Sequence, residues 1–194
     1  MNEHGKPVLY AIATGSTAAR DIGKLVDIAQ SAGWVVCVVA SPAGRKFIDV
    51  AQLEQATGFP VRSEYEEPGT PDLLPPADAM VVAPITANSL AKWAAGISDT
   101  LPLGLLVEAV GKGLPVVAVP FSNRAQLEFP AIQEAIGKLA EWGVIVVGGS
   151  DITEPHEPGA GAEQLPAFPW DRTWQALLTH PRYRRPDEPA VSGA

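Results

Sequence analysis

Four places in the chain put small hydroxyl or amide side chains directly after an apolar run. They are Thr14-Gly15-Ser16-Thr17, Ser41-Pro42, Pro84 to Asn88, and Pro120 to Asn123. Together with backbone N–H groups at helix starts, such side chains can bind a phosphate and the polar edge of a heterocycle. The first turn holds a single glycine. It is therefore neither the G-x-G-x-x-G dinucleotide fingerprint nor a G-x-x-x-x-G-K-[ST] phosphate loop, and a mononucleotide suits it better than a dinucleotide. Taken alone, Thr14, Ser16 and Thr17 are explained most simply as helix N-caps. Groups that titrate near neutrality are few. The chain has one cysteine, Cys37, and three histidines, His4, His156 and His180. A single cysteine excludes an internal disulfide framework and any multi-cysteine metal cluster. Cys37 lies inside an apolar run, where a thiol is inert. His4 precedes the first strand and His180 sits near the end, so both read as solvated.

The elements that must position these groups alternate. Strands are expected over Lys6–Ala13, Trp34–Ala40, Ala79–Ala83, Leu114–Val119 and Val144–Val147. Trp34–Ala40 shows no polar alternation, which implies burial on both faces. Helices are expected from Thr17 to about Ala32, from Pro42 to Ala56, from Ala87 to Gly96, from Leu101 to Gly111 and from Arg124 to Trp142. A short extended piece near Pro60–Ser63 leads into a loop rich in Pro, Glu and Gly, from Glu64 to Pro76. This order predicts an α/β fold: a doubly wound parallel sheet in a three-layer α/β/α sandwich of Rossmann or flavodoxin-like class. In such sheets ligands bind beyond the carboxyl ends of the strands, which is where the four polar stretches fall. Residues 1–150 form the ligand-binding α/β domain. Residues 151–194 form a proline-rich arm and tail of the same domain, read as a flexible flap, one short helix near Trp170–Leu178 and a frayed end.

Composition supports one soluble domain. The 194 residues carry 14 Lys+Arg against 22 Asp+Glu, a formal net charge of −8. That acidity argues against nucleic acid or an anionic membrane as a partner. Apolar residues make up 46%, yet no run is long enough to span a membrane. A cytoplasmic protein is the economical reading.

One stretch is more specific than the rest. Ala83-Pro84-Ile85-Thr86-Ala87-Asn88-Ser89 continues through Lys92, Gly96, Ile97 and Asp99 to Leu101. It resembles the A-P-x-S-A-N-T-x-x-K-x-A-x-G-I-x-D-N-L signature of the homo-oligomeric flavin-containing cysteine decarboxylases, which include phosphopantothenoylcysteine decarboxylase and the lantibiotic decarboxylases. Thr86 and Ser89 exchange one hydroxyl for another, and Thr100 replaces the usual Asn. Thr14-Gly15-Ser16 and Ser41 are similar to the family's first two strand-end turns. The resemblance implies FMN as cofactor. It places Gly15, Ser16 and Ser41 at the phosphate end, with Pro84, Thr86, Asn88, Ser89 and Asp99 completing the flavin site. It also implies a small-molecule or peptide substrate and a homo-oligomer, a trimer or a multiple of trimers.

The resemblance breaks at three points that concern chemistry. The family places a His ahead of the third strand, at a position near Thr70, and the loop Glu64–Pro76 contains none. In the family's P-x-M-N-x-x-M-W substrate motif, Pro120 and Asn123 are kept but Ser122 stands at the first Met. The family's flap cysteine has no counterpart in Gly148–Pro169. No catalytic residue is assigned; Asn123 and His156 are the candidates that remain, His156 only if the arm folds over the flavin. The expected function is thus an FMN-binding flavoprotein of this family acting on a non-standard substrate. The alternatives are a non-catalytic flavin carrier or partner subunit, or a flavin prenyltransferase-like protein. A sugar- or nucleotide-binding domain explains the polar turns but not the long signature.

Overall fold

A computed structural model describes residues 5–67, 69–148 and 155–183. His4, residues 149–154 of the arm and everything after Tyr183 lie outside the described residues. The core is a five-stranded sheet, all parallel, in the order β2-β1-β3-β4-β5. The strands are β1 (Val8–Ala13), β2 (Val35–Ala40), β3 (Ala79–Ile85), β4 (Val116–Pro120) and β5 (Ile145–Val146). The winding reverses between β1 and β3, where Leu9 lies opposite Ala79 and Ile12 opposite Val82. The extended piece near Pro60–Ser63 adds a single bridge from Arg62 to Val39 on the free edge of β2.

Successive strand residues point to opposite faces, and two hydrophobic cores follow. Leu9, Ala11, Val36, Val38, Val81 and Val117 face α1 (Gly23–Ser31), α2 (Val50–Thr57) and α7 (Trp170–Leu178). Val8, Tyr10, Ile12, Val39, Val82 and Val116 face α3 (Ala87–Ala94), α4 (Leu101–Gly111) and α6 (Pro130–Glu141). Because both faces are covered, the strands need no polar alternation, as the sequence of β2 suggests.

Three expected helices are broken. The first begins as a 3-10 turn over Thr17–Asp21, and α1 starts only at Gly23. The helix expected over Pro42–Ala56 is a 3-10 turn at Gly44–Lys46 followed by α2, restarted by Asp49, whose Oδ1 accepts from Gln52 N at 3.0 Å. Arg124–Trp142 divides into α5 (Arg124–Leu127) and α6, because Pro130 has no N–H with which to continue a helix.

The short helix expected near Trp170–Leu178 is present as α7, while the end read as frayed lies beyond Tyr183, outside the described residues. Trp170, Thr173, Trp174 and Leu177 have the i, i+3, i+4, i+7 spacing of one helix face, and all four are buried. Trp174 meets Trp34 edge-on at 5.5 Å, and Tyr183 stacks on Trp34 at 5.8 Å. His180 is not solvated. It is 3% exposed, with Nε2 2.9 Å from Gly143 O and Nδ1 accepting from Arg182 N at 3.0 Å. Since Nδ1 accepts, Nε2 carries the proton and the ring is neutral. Burial, the main cause, lowers its pKa. Trp93, Leu101, Leu103 and Leu106 lie in the chain's own core. Among the described residues no helix is long and apolar enough to cross a membrane.

Candidate functional site

The carboxyl ends of β1, β2, β3 and β4 surround a cavity of about 740 Å³, within the range of small-molecule sites. Its walls come from the turns that follow the strands, and the side chains there tie one turn to the next.

Thr14, buried at the end of β1, is not a helix cap. Its backbone N–H and its Oγ1 both donate to Pro84 O at 3.1 Å, and Oγ1 accepts from Thr86 N at 2.9 Å. One side chain thus joins β1 to the end of β3 at the winding reversal. The start of α3 is held from two sides. Thr86 Oγ1 accepts from Ser89 N at 3.3 Å, and Ser122 Oγ, arriving from beyond β4, accepts from Ala87 N at 3.0 Å. Asn88, at the second helical position, has a backbone N–H without an intrahelical acceptor and a side chain exposed at the cavity rim.

The first two turns press together. A Cβ on Gly15 would stand 2.8 Å from Ala43 Cβ, and one on Gly44 would stand 2.6 Å from Ala13 O. Both positions require the absence of a side chain. Ser41 Oγ accepts from Gly44 N at 2.9 Å, which sets the second turn. Nothing local in the sequence marks Gly44; the constraint comes from a strand end 31 residues away.

Of the expected flavin-site residues, the cavity brings together Gly15, Ser16, Ser41, Thr86, Asn88 and Ser89. Pro84 and Asp99 do not line it. Pro84 acts through its carbonyl on Thr14, and Asp99 pairs with Lys92 in an exposed salt bridge. Ser16 begins the 3-10 turn without a side-chain capping bond. Thr100, missed by sequence reading, lines the cavity with a buried Oγ1 that has no hydrogen-bond partner. Of the two catalytic candidates, Asn123 caps α5, its Oδ1 accepting from Gln126 N at 3.0 Å, and both residues line the cavity. His156 also lines it, as do Gly159 and Gly161 of the arm. Thr70 does not; its N–H closes a turn onto Glu67 O at 3.1 Å. Cys37 is fully buried on the sheet, and burial pushes its thiol pKa up to about 12, so it takes no part.

These walls suit a flat phosphorylated heterocycle: two hydroxyl-bearing turns packed against each other, a helix start and an unpartnered buried hydroxyl. The sequence model of the family described as Flavoprotein matches residues 1–165. The chain belongs to the Flavoprotein family. The coenzyme A biosynthesis bifunctional protein CoaBC of Thermococcus kodakarensis is 33% identical, over 72% of this chain and 36% of that protein. The chain thus spans little more than a third of that relative's length. A probable phosphopantothenoylcysteine decarboxylase of Arabidopsis thaliana is 30% identical, over 73% of this chain and 74% of that one. Among solved structures, the FMN-dependent cysteine decarboxylase SpaF superposes with a TM-score of 0.65 at 21% identity, covering 87% of this chain and 97% of that one. That likeness establishes the fold: the Flavoprotein-family sandwich with helices on both faces of a parallel sheet. The family relationship supports a flavin as the ligand of the cavity.

Proposed function

We propose that this Flavoprotein-family member binds FMN in the strand-end cavity and acts on a thiol-bearing small molecule or peptide other than the family's usual cysteine substrates. One observation carries the reading: a single cavity gathers the first turn, the Ser41 turn and the start of α3. Gly15 lets the first turn pack directly against Ala43 and so brings it beside the Ser41 turn. Ser16, Ser41 and the Asn88 N–H supply donors suited to a phosphate. Thr86 and Ser89 hold the start of α3, and Thr100 Oγ1 offers a hydrogen bond to a polar atom that enters the cavity. Bound there, FMN would supply two-electron redox chemistry. On the substrate side, Asn123 has its carbonyl oxygen engaged by Gln126 N, leaving the amide N–H₂ to donate.

The thiol class is drawn from relatives described as cysteine decarboxylases. A changed substrate is supported by Ser122, which stands at the family's Met and bonds to Ala87 N, and by a loop Glu64–Pro76 without histidine. The active form is a trimer or a multiple of trimers in this reading. The second reading is a flavin carrier without turnover, favoured by the same loop. A prenyltransferase-like role is disfavoured because Arg124 already engages Glu157, Glu128 and Pro155 O. The test is the absorption spectrum of the purified protein, with mass spectrometry of the chromophore released on denaturation. Stoichiometric FMN is expected. A colourless protein that also fails to take up added FMN would overturn the reading.

A further inference from the structure

His156 is the one described histidine that faces the cavity, and its ring is set in a definite state. Nδ1 lies 2.9 Å from Glu157 O. A carbonyl oxygen can only accept, so Nδ1 carries the hydrogen, and in the neutral ring Nε2 keeps an unprotonated lone pair. No hydrogen bond occupies Nε2 among the described residues, and it is not sealed from solvent. The ring rests against Phe121 with centroids 5.1 Å apart. A Cβ on Gly161 would stand 3.2 Å from Nε2 and Cε1, so glycine there leaves this edge of the ring uncrowded.

The segment around His156 is held by one residue. Arg124 N donates to His156 O at 2.8 Å, Arg124 Nε to Glu157 Oε1 at 3.0 Å and Arg124 Nη2 to Pro155 O at 3.3 Å. The arm therefore meets the start of α5, next to Asn123, at a fixed point. The histidine of an arm that the sequence marks as loose is delivered to the cavity in one tautomer and one place.

We propose that His156 Nε2 is the proton acceptor for the substrate thiol at this cavity, with Arg124 as the residue that positions it. The inference rests on the FMN-and-thiol reading above. In the step, the S–H bond breaks and an Nε2–H bond forms; the electron pair stays on sulfur as a thiolate, and the ring becomes imidazolium. No oxidant or further reactant is needed. Beside the ring, the Glu157 carboxylate on its own segment and the Arg124 guanidinium from α5 are paired with each other.

The test uses the full chain, its His156→Gln variant, added FMN, and N-acetylcysteamine as the thiol probe. The first arm is long-range proton–nitrogen NMR of the unliganded chain, with the variant assigning the His156 signals. A hydrogen on Nδ1 and a bare Nε2 are expected; a hydrogen on Nε2 overturns the proposal. The second arm titrates the FMN-loaded protein with the probe and follows the long-wavelength absorption of a thiolate lying against oxidised flavin. The native chain should develop this band. The variant should keep its FMN and need roughly a hundredfold more thiol, at the low end of general-base contributions. An equal band in both proteins, or none in an FMN-loaded native chain, overturns the proposal while the flavin reading stands. A native chain that takes up no FMN overturns both. If His156→Gln does not fold, the tautomer measured in the native chain, its signals assigned through bonds, still decides.

Discussion

Replacing Thr14 by valine tests the joint between β1 and β3 with little change in shape. The side chain is 2% exposed. The substitution removes two hydrogen bonds, Oγ1 to Pro84 O at 3.1 Å and Thr86 N to Oγ1 at 2.9 Å. The two losses are unequal. Pro84 O keeps its bond from Thr14 N at 3.1 Å, whereas Thr86 N–H is left facing a methyl group. A buried donor without a partner costs about 1–3 kcal/mol. Thr86 is only partly buried, so water recovers part of that, and the expected loss is about 2 kcal/mol, in the middle of that range. For a chain of this size that corresponds to a fall in Tm of about 4–8 °C. Thr86 also caps α3, so the variant should hold FMN less tightly than its stability loss alone implies. The assays are urea denaturation without ligand and FMN titration by fluorescence quenching. Thr14→Ser, which keeps both bonds and loses only a methyl, should bind FMN as the native protein does. A Thr14→Val protein within about 0.5 kcal/mol of native, the usual range of a neutral surface change, and with unchanged FMN affinity, would refute the role assigned to this hydroxyl.

Other consequences are checked more simply. Gly15→Ala should destabilise the protein by about 1–3 kcal/mol through overpacking against Ala43 and weaken FMN retention; Ala43→Gly should restore both, since the remaining Ala43 atoms lie 3.5 Å or more from the new methyl. Asp99→Asn should leave FMN affinity unchanged and cost less than about 1 kcal/mol, as expected for an exposed ion pair; loss of flavin would place Asp99 back in the site. His180 has a lowered folded-state pKa, so its contribution to stability is fully present above the ordinary value of 6.5 and declines as pH falls below it towards the folded value. The native chain should therefore lose more stability than His180→Gln in thermal scans as pH falls through that window, and parallel curves would contradict the buried neutral ring. Native Cys37 should not react with a thiol reagent until the protein unfolds.

Local pattern was enough for the class of fold and for most of the site. Runs such as Val35–Ala40 are apolar at every position, so they can only be strands covered on both faces, and alternating them with helices leaves few topologies. The turn residues at Gly15, Ser16, Ser41, Thr86, Asn88 and Ser89 stand immediately after those strands, so position along the chain already placed them at one end of the sheet. Other features depend on neighbours distant in sequence. Thr14 has the composition of a cap, yet its hydroxyl reaches Pro84, 70 residues on; nothing local distinguishes the two roles. Gly44 is needed because Ala13 O passes close by, and Ser122 serves the start of α3 rather than its own segment. The short helix at Trp170–Leu178 is legible in the sequence, but its docking through Trp170, Trp174 and Leu177 against α1 and Trp34 depends on neighbours distant along the chain. Residue type and order determined which groups could bind a phosphate. Only the tertiary packing decided which hydroxyls are engaged in holding turns together, which remain turned to the cavity, and that His156 stands among them.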